Sequence, residues 1–185
     1  MNERNKPTSE TLNAMRDEAY SHAVAAGFHA DGHTQDHYFC LVITELMEAV
    51  EADRKDRRCT FNLDQIYDVE DDAAFYTIFQ AKVKDTVEDE LADTAIRLLD
   101  YAGYVGTKID TLGSKVYTER PFTDMAYAVA NILFSIDDVP IDTVITVAIG
   151  ALFQWADRLD FDLTKHIEMK MRYNRNRPRL HGKKY

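Results

Sequence analysis

The stretch TELMEAVEADR, residues 44–54, decides the fold class. At 3.6 residues per turn, Leu41, Val42, Ala49 and Ala52 share one face, the apolar stripe by which an amphipathic helix packs on a core. Glu45 and Glu48 fall on that same face, one turn apart. A second periodic stretch, VEDELADTAIRLLDYA at 87–102, repeats the anomaly. There Glu90 and Asp93, again three apart, share a helix with Leu91, Ala92, Ala95, Ile96, Leu98 and Leu99. Two helices therefore each carry a pair of carboxylates beside the surface they must bury.

Outward from these two stretches the chain reads as helix throughout. Ser9 is expected to cap a first helix that ends at Gly27, a residue type suited to helix ends. Residues 28–36 read as a loop and 37–57 as the second helix. Thr86 and Asp89 have the spacing of a capping box, with Asp a weaker partner than Glu, and open a third helix ending near Gly103. After a connection at 104–121, helices are expected over 123–136 and 141–157, with Pro140 in a first turn. A last helix runs from Asp162 to Asn174, and Pro178 stops it from going further. With 7 glycines and 4 prolines among 185 residues there is little punctuation for a many-stranded β fold. The expectation is an all-α helical bundle of five to six helices forming a single domain over 1–185. The acidic stretch 58–80 reads as a partly ordered insertion, and 175–185 as a basic tail.

Charge narrows the partners. The net charge of −10 hides an asymmetry, because residues 165–185 hold eight lysines and arginines against one acid, Glu168. An acidic body with a basic tail is not the footprint of a general nucleic-acid binder, so no nucleic acid is expected. It suits a small polyanion if a cation neutralises the acidic part. No stretch has the ~18 consecutive apolar residues of a membrane span, and MNERNKPTSE lacks the apolar core of a secretion signal. The expected location is therefore the cytoplasm, where Cys40 and Cys59, which belong to no CxxC or Cys/His ligand pattern, would remain reduced thiols.

If the second and third helices pack together, Glu45, Glu48, Glu90 and Asp93 converge in one cleft. Four like charges that close repel or take up protons, and a divalent cation relieves them. Oxygen-only donors favour a hard ion, Mg²⁺ with Mn²⁺ as a substitute, over zinc. The pattern also fits solvated helix faces, with Arg97 simply pairing with Asp93 one turn away. A ferritin-like di-iron site is excluded, since it needs ExxH pairs and the sequence has none. His29, His33 and His37 are spaced by four, but Gly32 argues against one continuous helix through them.

The segments ELMEAVEADR, VEDELADTAIRLLDYA and KMRYNRNRPRLHGKKY, in that order, resemble the MazG-like family of all-α nucleoside triphosphate pyrophosphohydrolases. The resemblance implies that Glu45 and Glu48, then Glu90 and Asp93, bind Mg²⁺, and that Lys170, Asn174 and Arg177 meet the phosphates of the nucleotide. It implies cleavage of an NTP or dNTP to the monophosphate and pyrophosphate, and homo-oligomers that complete the bundle. The chain departs from compact members of the family in the 41 residues between Glu48 and Glu90. Residues 56–86 then read as an insertion near the mouth of the site.

Around that core stand further candidates. Glu48 is the expected general base. His166, Lys170 and Asn174 recur every four residues on the last helix, with Arg177 just beyond, and Lys55 lies two turns after Glu48. Tyr173 is a candidate for stacking on a base, while Phe122, Tyr127, Phe134, Phe153 and Trp155 read as core or subunit contacts. The competing function is a non-catalytic helical module that binds a nucleotide or a protein partner.

Overall fold

The computed structural model of the protein describes residues 6–110, 120–182 and 184, without the side chain of Asp137. The described residues are all-helical. Eight α-helices follow one another: α1 (Ser9–Ala26), α2 (Gln35–Arg54), α3 (Asp64–Tyr67), α4 (Asp72–Lys82), α5 (Val87–Tyr104), α6 (Phe122–Phe134), α7 (Ile141–Arg158) and α8 (Leu163–Arg175). Short 3-10 helices at Ser135–Asp137 and Arg179–Gly182 extend α6 and the C-terminal region. Most of the connection expected at 104–121, and Lys183 of the basic tail, lie outside the described residues.

The helix count exceeds the expected five to six because 58–80 is not a partly ordered stretch. Behind the acidic run 68–72 lies an apolar set that closes α3 and α4 onto α8. Leu63, Ile66, Phe75, Phe79 and Val83 are buried together with Met169 and Tyr173 in a second apolar cluster. Asp71, part of the acidic run, caps α4 by accepting the Ala74 N–H at 2.7 Å. What composition suggests is a solvated segment is in fact two capped helices with a core of their own.

Caps mark most of the remaining boundaries. Thr8, not Ser9, caps α1, accepting the Thr11 N–H, and the Ser9 hydroxyl donates instead to the carbonyl of Ile109 at 2.7 Å. Gly27 ends α1 in a left-handed conformation (φ 90°), with Gly27 N–H bonded to Val24 O and Phe28 N–H to Ala23 O. Thr34 caps α2 and Asp162 caps α8. At the start of α5 only half of the capping box forms. Thr86 accepts the Asp89 N–H, but the shorter Asp89 side chain takes the N–H of Asp85 rather than that of Thr86.

Helix α5 is the axis of the bundle. It packs against α1, α2, α7 and α8, and it is buried nearly all round, including its polar residues Glu88, Asp89, Glu90, Thr94 and Asp100. The α6–α7 pair covers the far side, with Phe153 and Trp155 fully buried and the Phe122 ring 4.5 Å from Trp155. Tyr127 and Phe134 on α6 are instead 67% exposed each. No helix among the described residues is long and apolar enough to cross a membrane.

The α1–α5 contact is closest at Gly103, where a Cβ would fall 2.4 Å from Tyr20 Cβ and 3.4 Å from the Arg16 carbonyl oxygen. Neither neighbour is a flexible side-chain end. Gly103→Ala is therefore expected to lower stability by about 1–3 kcal/mol in urea denaturation, despite the higher helix propensity of alanine.

Candidate metal centre

The carboxylates of α2 and α5 converge because the two helices pack along their apolar stripes. Glu45, Glu90 and Asp93 each offer an oxygen, and these atoms lie within 4.8 Å of one another. Glu45 and Glu90 are buried and Asp93 half-buried. Glu48 is outside this triad: it is exposed, one turn along α2, yet close enough for its charge to act on Glu90. Burial, joined by the charges of Asp93, Asp89 and Glu48 and opposed by Lys170, lifts the Glu90 carboxyl to about 9.

Lys170 is not free to reach outward. Its Nζ, on a side chain with 3% of the residue exposed, donates to Asp89 Oδ2 at 2.7 Å and meets Asp93 Oδ2 at 2.8 Å. Burial alone would depress this ammonium, but Asp93 and Asp89 together hold it above the ordinary lysine value. Burial, offset by Lys170, raises Asp89 to about 6, and Asp89 Oδ1 is buried without a hydrogen-bond partner. Arg97 also departs from the expected pairing with Asp93. Its Nε donates across to Glu45 Oε1 at 3.1 Å, and its guanidinium lies 5.4 Å from the centroid of Phe28. Each acid of the triad thus has a protein cation or another carboxylate beside it.

The triad opens onto a cavity of about 330 Å³ between α1, α2, α5, α8 and the C-terminal turn. Glu45 and Asp93 form part of its wall. The lining also includes Arg97, Asn174, Arg175, Arg177 and Arg179, which bring positive charge to the cavity. Arg177 donates to Asn174 Oδ1 and to the His181 carbonyl, both at 3.4 Å, which ties the turn after α8 to the helix end. The turn at Gly27 makes room for this lining: a Cβ there would come 2.9 Å from Arg179 Nε. Ala19, Ala23 and Ala26 of α1, with Phe28, supply a small-residue apolar wall.

Of the residues singled out from the sequence, Asn174 and Arg177 line the cavity with Glu45 and Asp93. Lys170 lies beneath it as the counter-ion of Asp89 and Asp93. Lys55 lies at the C-terminal cap of α2, exposed and paired with Glu51 at 2.8 Å, and it does not line the cavity. Tyr173 is buried in the second apolar cluster, its ring 4.6 Å from Tyr76 and 4.8 Å from Phe79. His166 is buried, and burial together with Lys165 and Lys170 pushes it down to about 3, so it is neutral and adds no positive charge. His33 and His37 stack on each other at 4.0 Å near the start of α2. His29 lies deeper, on Asp100.

Three contributors escape the reading of motifs: Arg97 as a partner of Glu45, Arg179 from the tail, and Asp100. A signal for the first and last was present, because Glu90, Asp93, Arg97 and Asp100 are spaced by three, four and three and so form one polar stripe along α5. Arg179 carries no such mark, since it reaches the cavity from beyond Pro178. No protein-family model, curated protein or solved structure matches this chain.

The donor set suits a hard divalent ion: three carboxylate oxygens within reach of one another and no nitrogen or sulfur among them. Without such an ion, Glu90 is protonated at neutral pH in the folded protein and ionised in the unfolded chain. The folded state then holds the extra proton between pH about 4.5 and about 9, so stability falls as pH rises across that window. Glu90→Gln removes the penalty. In EDTA at pH 8 its Tm is expected to lie above that of the parent, with the difference closing toward pH 4.5. Lys170→Met leaves Asp89 and Asp93 without their cation and is expected to cost about 3–5 kcal/mol in urea denaturation at pH 8, less at acid pH as the carboxylates take up protons.

Proposed function

We propose that the protein is a Mg²⁺-dependent nucleoside triphosphate pyrophosphohydrolase, with Mn²⁺ as a substitute ion, acting in the cytoplasm as a homo-oligomer. The observation that carries this reading is the meeting of a carboxylate cluster and several arginines in one cavity. Three carboxylate oxygens lie within 4.8 Å of one another, and the cavity that Glu45 and Asp93 line also holds four arginines, one of them, Arg97, bonded to Glu45. A metal–polyphosphate presents partners for both, a cation for the carboxylates and anionic oxygens for the arginines. The volume lies near the lower end of the range for small-molecule sites, about 300–1,000 Å³. The resemblance of the three motif segments to the MazG-like family supplies the bond to be cleaved.

Glu45, Glu90 and Asp93 would hold the ion, which when bound supplies charge neutralisation to the phosphate and acidification of water. Binding it requires Glu90 to give up its proton, and Glu48, exposed beside Glu90, completes the acidic set at the solvent edge. Arg177 and Arg179 grip phosphate oxygens through paired N–H donors, and Asn174 orients Arg177. Water attacks the α-phosphorus while Glu48 takes its proton. The new P–O bond gives the monophosphate, and the breaking bond releases pyrophosphate. Lys170 keeps Asp93 aimed at the triad and does not touch the nucleotide.

One observation favours a second reading. Lys170 and Arg97 already compensate Asp93 and Glu45 within the chain, as in a purely structural ion network of a nucleotide-binding or protein-binding module. Turnover decides between them. With Mg²⁺, a panel of NTPs and dNTPs is expected to yield monophosphate and pyrophosphate by ion-exchange chromatography. Activity is expected to vanish in EDTA and in Glu90→Gln, and to fall about 10²–10⁴-fold in Glu48→Gln. Diphosphate plus phosphate would overturn the assigned bond. A folded protein that neither turns over any nucleotide nor gains Tm with Mg²⁺ or Mn²⁺ would establish the non-catalytic module.

A further inference from the structure

The far end of the same cavity holds a buried acceptor that the hydrolytic reading does not use. Asp100 lies two turns beyond Asp93 on the same stripe of α5, about 10 Å farther along the helix axis. It is 5% exposed yet lines the cavity wall. Its Oδ1 is held by His29 Nε2 at 2.7 Å, and His29 Nδ1 is in turn 2.9 Å from the Tyr38 hydroxyl. Nε2–H donates to the carboxylate while Nδ1 bonds the Tyr38 hydroxyl, so the chain of bonds fixes the orientation of Asp100. The His29 ring is itself clamped, stacked 4.9 Å from Tyr104 and edge-on to Tyr20 at 5.1 Å. Asp100 Oδ2 has no hydrogen-bond partner among the described residues. A buried carboxylate held at one oxygen, on a residue that lines the cavity, is a pre-organised acceptor.

Its surroundings say what it would accept. The cavity wall also carries the apolar side chains of Ala23, Ala26, Ile96 and Phe28, with Arg97 between Asp93 and Asp100 on α5 and its guanidinium 5.4 Å from the Phe28 ring centroid. The apolar side chains take the face of a flat ring and leave its polar edge to Asp100. The ring is then fixed by its edge at Asp100, while the phosphates lie against the arginines and the triad. A carboxylate accepts and cannot donate, so it favours an edge that presents N–H and opposes one that presents a carbonyl oxygen at the same point.

We infer that Asp100, positioned by His29 and Tyr38, is the base-selecting residue of the cavity, and that it selects nucleotides whose base carries an amino group at C4 of a pyrimidine or C6 of a purine, cytosine or adenine, over the counterparts with a carbonyl there, uracil and hypoxanthine. The inference rests on the nucleotide reading of the cavity and adds the class of base to it. The alternative is that the Asp100–His29 bond only ties the segment after Gly27 to α5.

The comparison of dCTP with dUTP, and of dATP with dITP, exchanges the amino group for a carbonyl, turns the adjacent ring nitrogen from acceptor to donor, and tests both. Binding is measured by calorimetry on the full chain with Mg²⁺ and non-hydrolysable α,β-methylene analogues, and turnover on the natural triphosphates. At least one amino base is expected to bind about 10- to 100-fold more tightly than its keto partner, the range of a hydrogen bond to a charged group. Asp100→Asn, whose amide offers either a donor or an acceptor, is expected to bring the ratio to within about threefold with little change in the affinity for pyrophosphate. His29→Gln is expected to shrink the ratio part of the way. Equal affinities for amino and keto partners in the parent, or a ratio unchanged in a folded Asp100→Asn, would overturn the assignment and leave the hydrolytic reading standing. Selective binding without turnover would overturn the hydrolytic reading and leave Asp100 as the selector. No binding of any nucleotide overturns both.

Discussion

Helix α5 can be buried only because Lys170 is buried with it. Asp89 and Asp93 come from the first two turns of the most enclosed helix of the bundle, and taking two carboxylates out of water costs several kcal/mol each unless a cation accompanies them. Lys170 reaches from α8 to meet both at 2.7 and 2.8 Å. Apolar packing alone would hold α8 against α5 in more than one register. The ammonium can satisfy both acids in one register only, so the ion bridge fixes where α8 stops and where the chain beyond it emerges. The position of Asn174, Arg177 and Arg179 over the cavity follows from that.

The same economy of charge shapes the rest of the site. Arg97 is drawn to Glu45 rather than to Asp93, which already has Lys170. Its guanidinium then lies over Phe28, which the turn at Gly27 delivers to the cavity. Glu88, the first acid of α5, is spent elsewhere: it accepts from Arg58 Nε and the Cys59 N–H, both at 2.7 Å, and so anchors the segment that leads into α3. Three neighbouring acids at one helix start therefore have three tasks. Glu88 ties down the connection, Asp89 holds the lysine, and Glu90 joins the triad. Their common location at the positive end of the helix dipole eases the burial of all three.

The helices were legible from local chemistry. Periodicity located α1, α2, α5, α6, α7 and α8 to within a few residues, and Gly27, Thr86, Pro140 and Asp162 marked real boundaries. Failures were of two kinds. Where two capping residues adjoin, as at Thr8 and Ser9, the choice depended on a distant partner, the Ile109 carbonyl that takes the Ser9 hydroxyl. Where acids crowd a segment, as at 68–72, composition masked the apolar spacing of Phe75, Phe79 and Val83, whose burial depends on Met169 and Tyr173 nearly a hundred residues later.

The two carboxylate pairs, the apolar stripes beside them and the basic C-terminal segment are properties of the sequence by itself, because a helical period follows from the chain alone. Which acids meet is not such a property. Glu45, Glu90 and Asp93 came together while Glu48 stayed at the surface, since only the rotation of α2 against α5 decides which turn faces inward. Nor does the sequence say that Lys170 turns inward to the acids, that Tyr173 is core, or that Arg179 reaches back past Pro178 to the cavity. Those outcomes were decided by the tertiary structure, because charge pairing and burial are settled between helices, at distances of a few ångströms that sequence spacing does not measure.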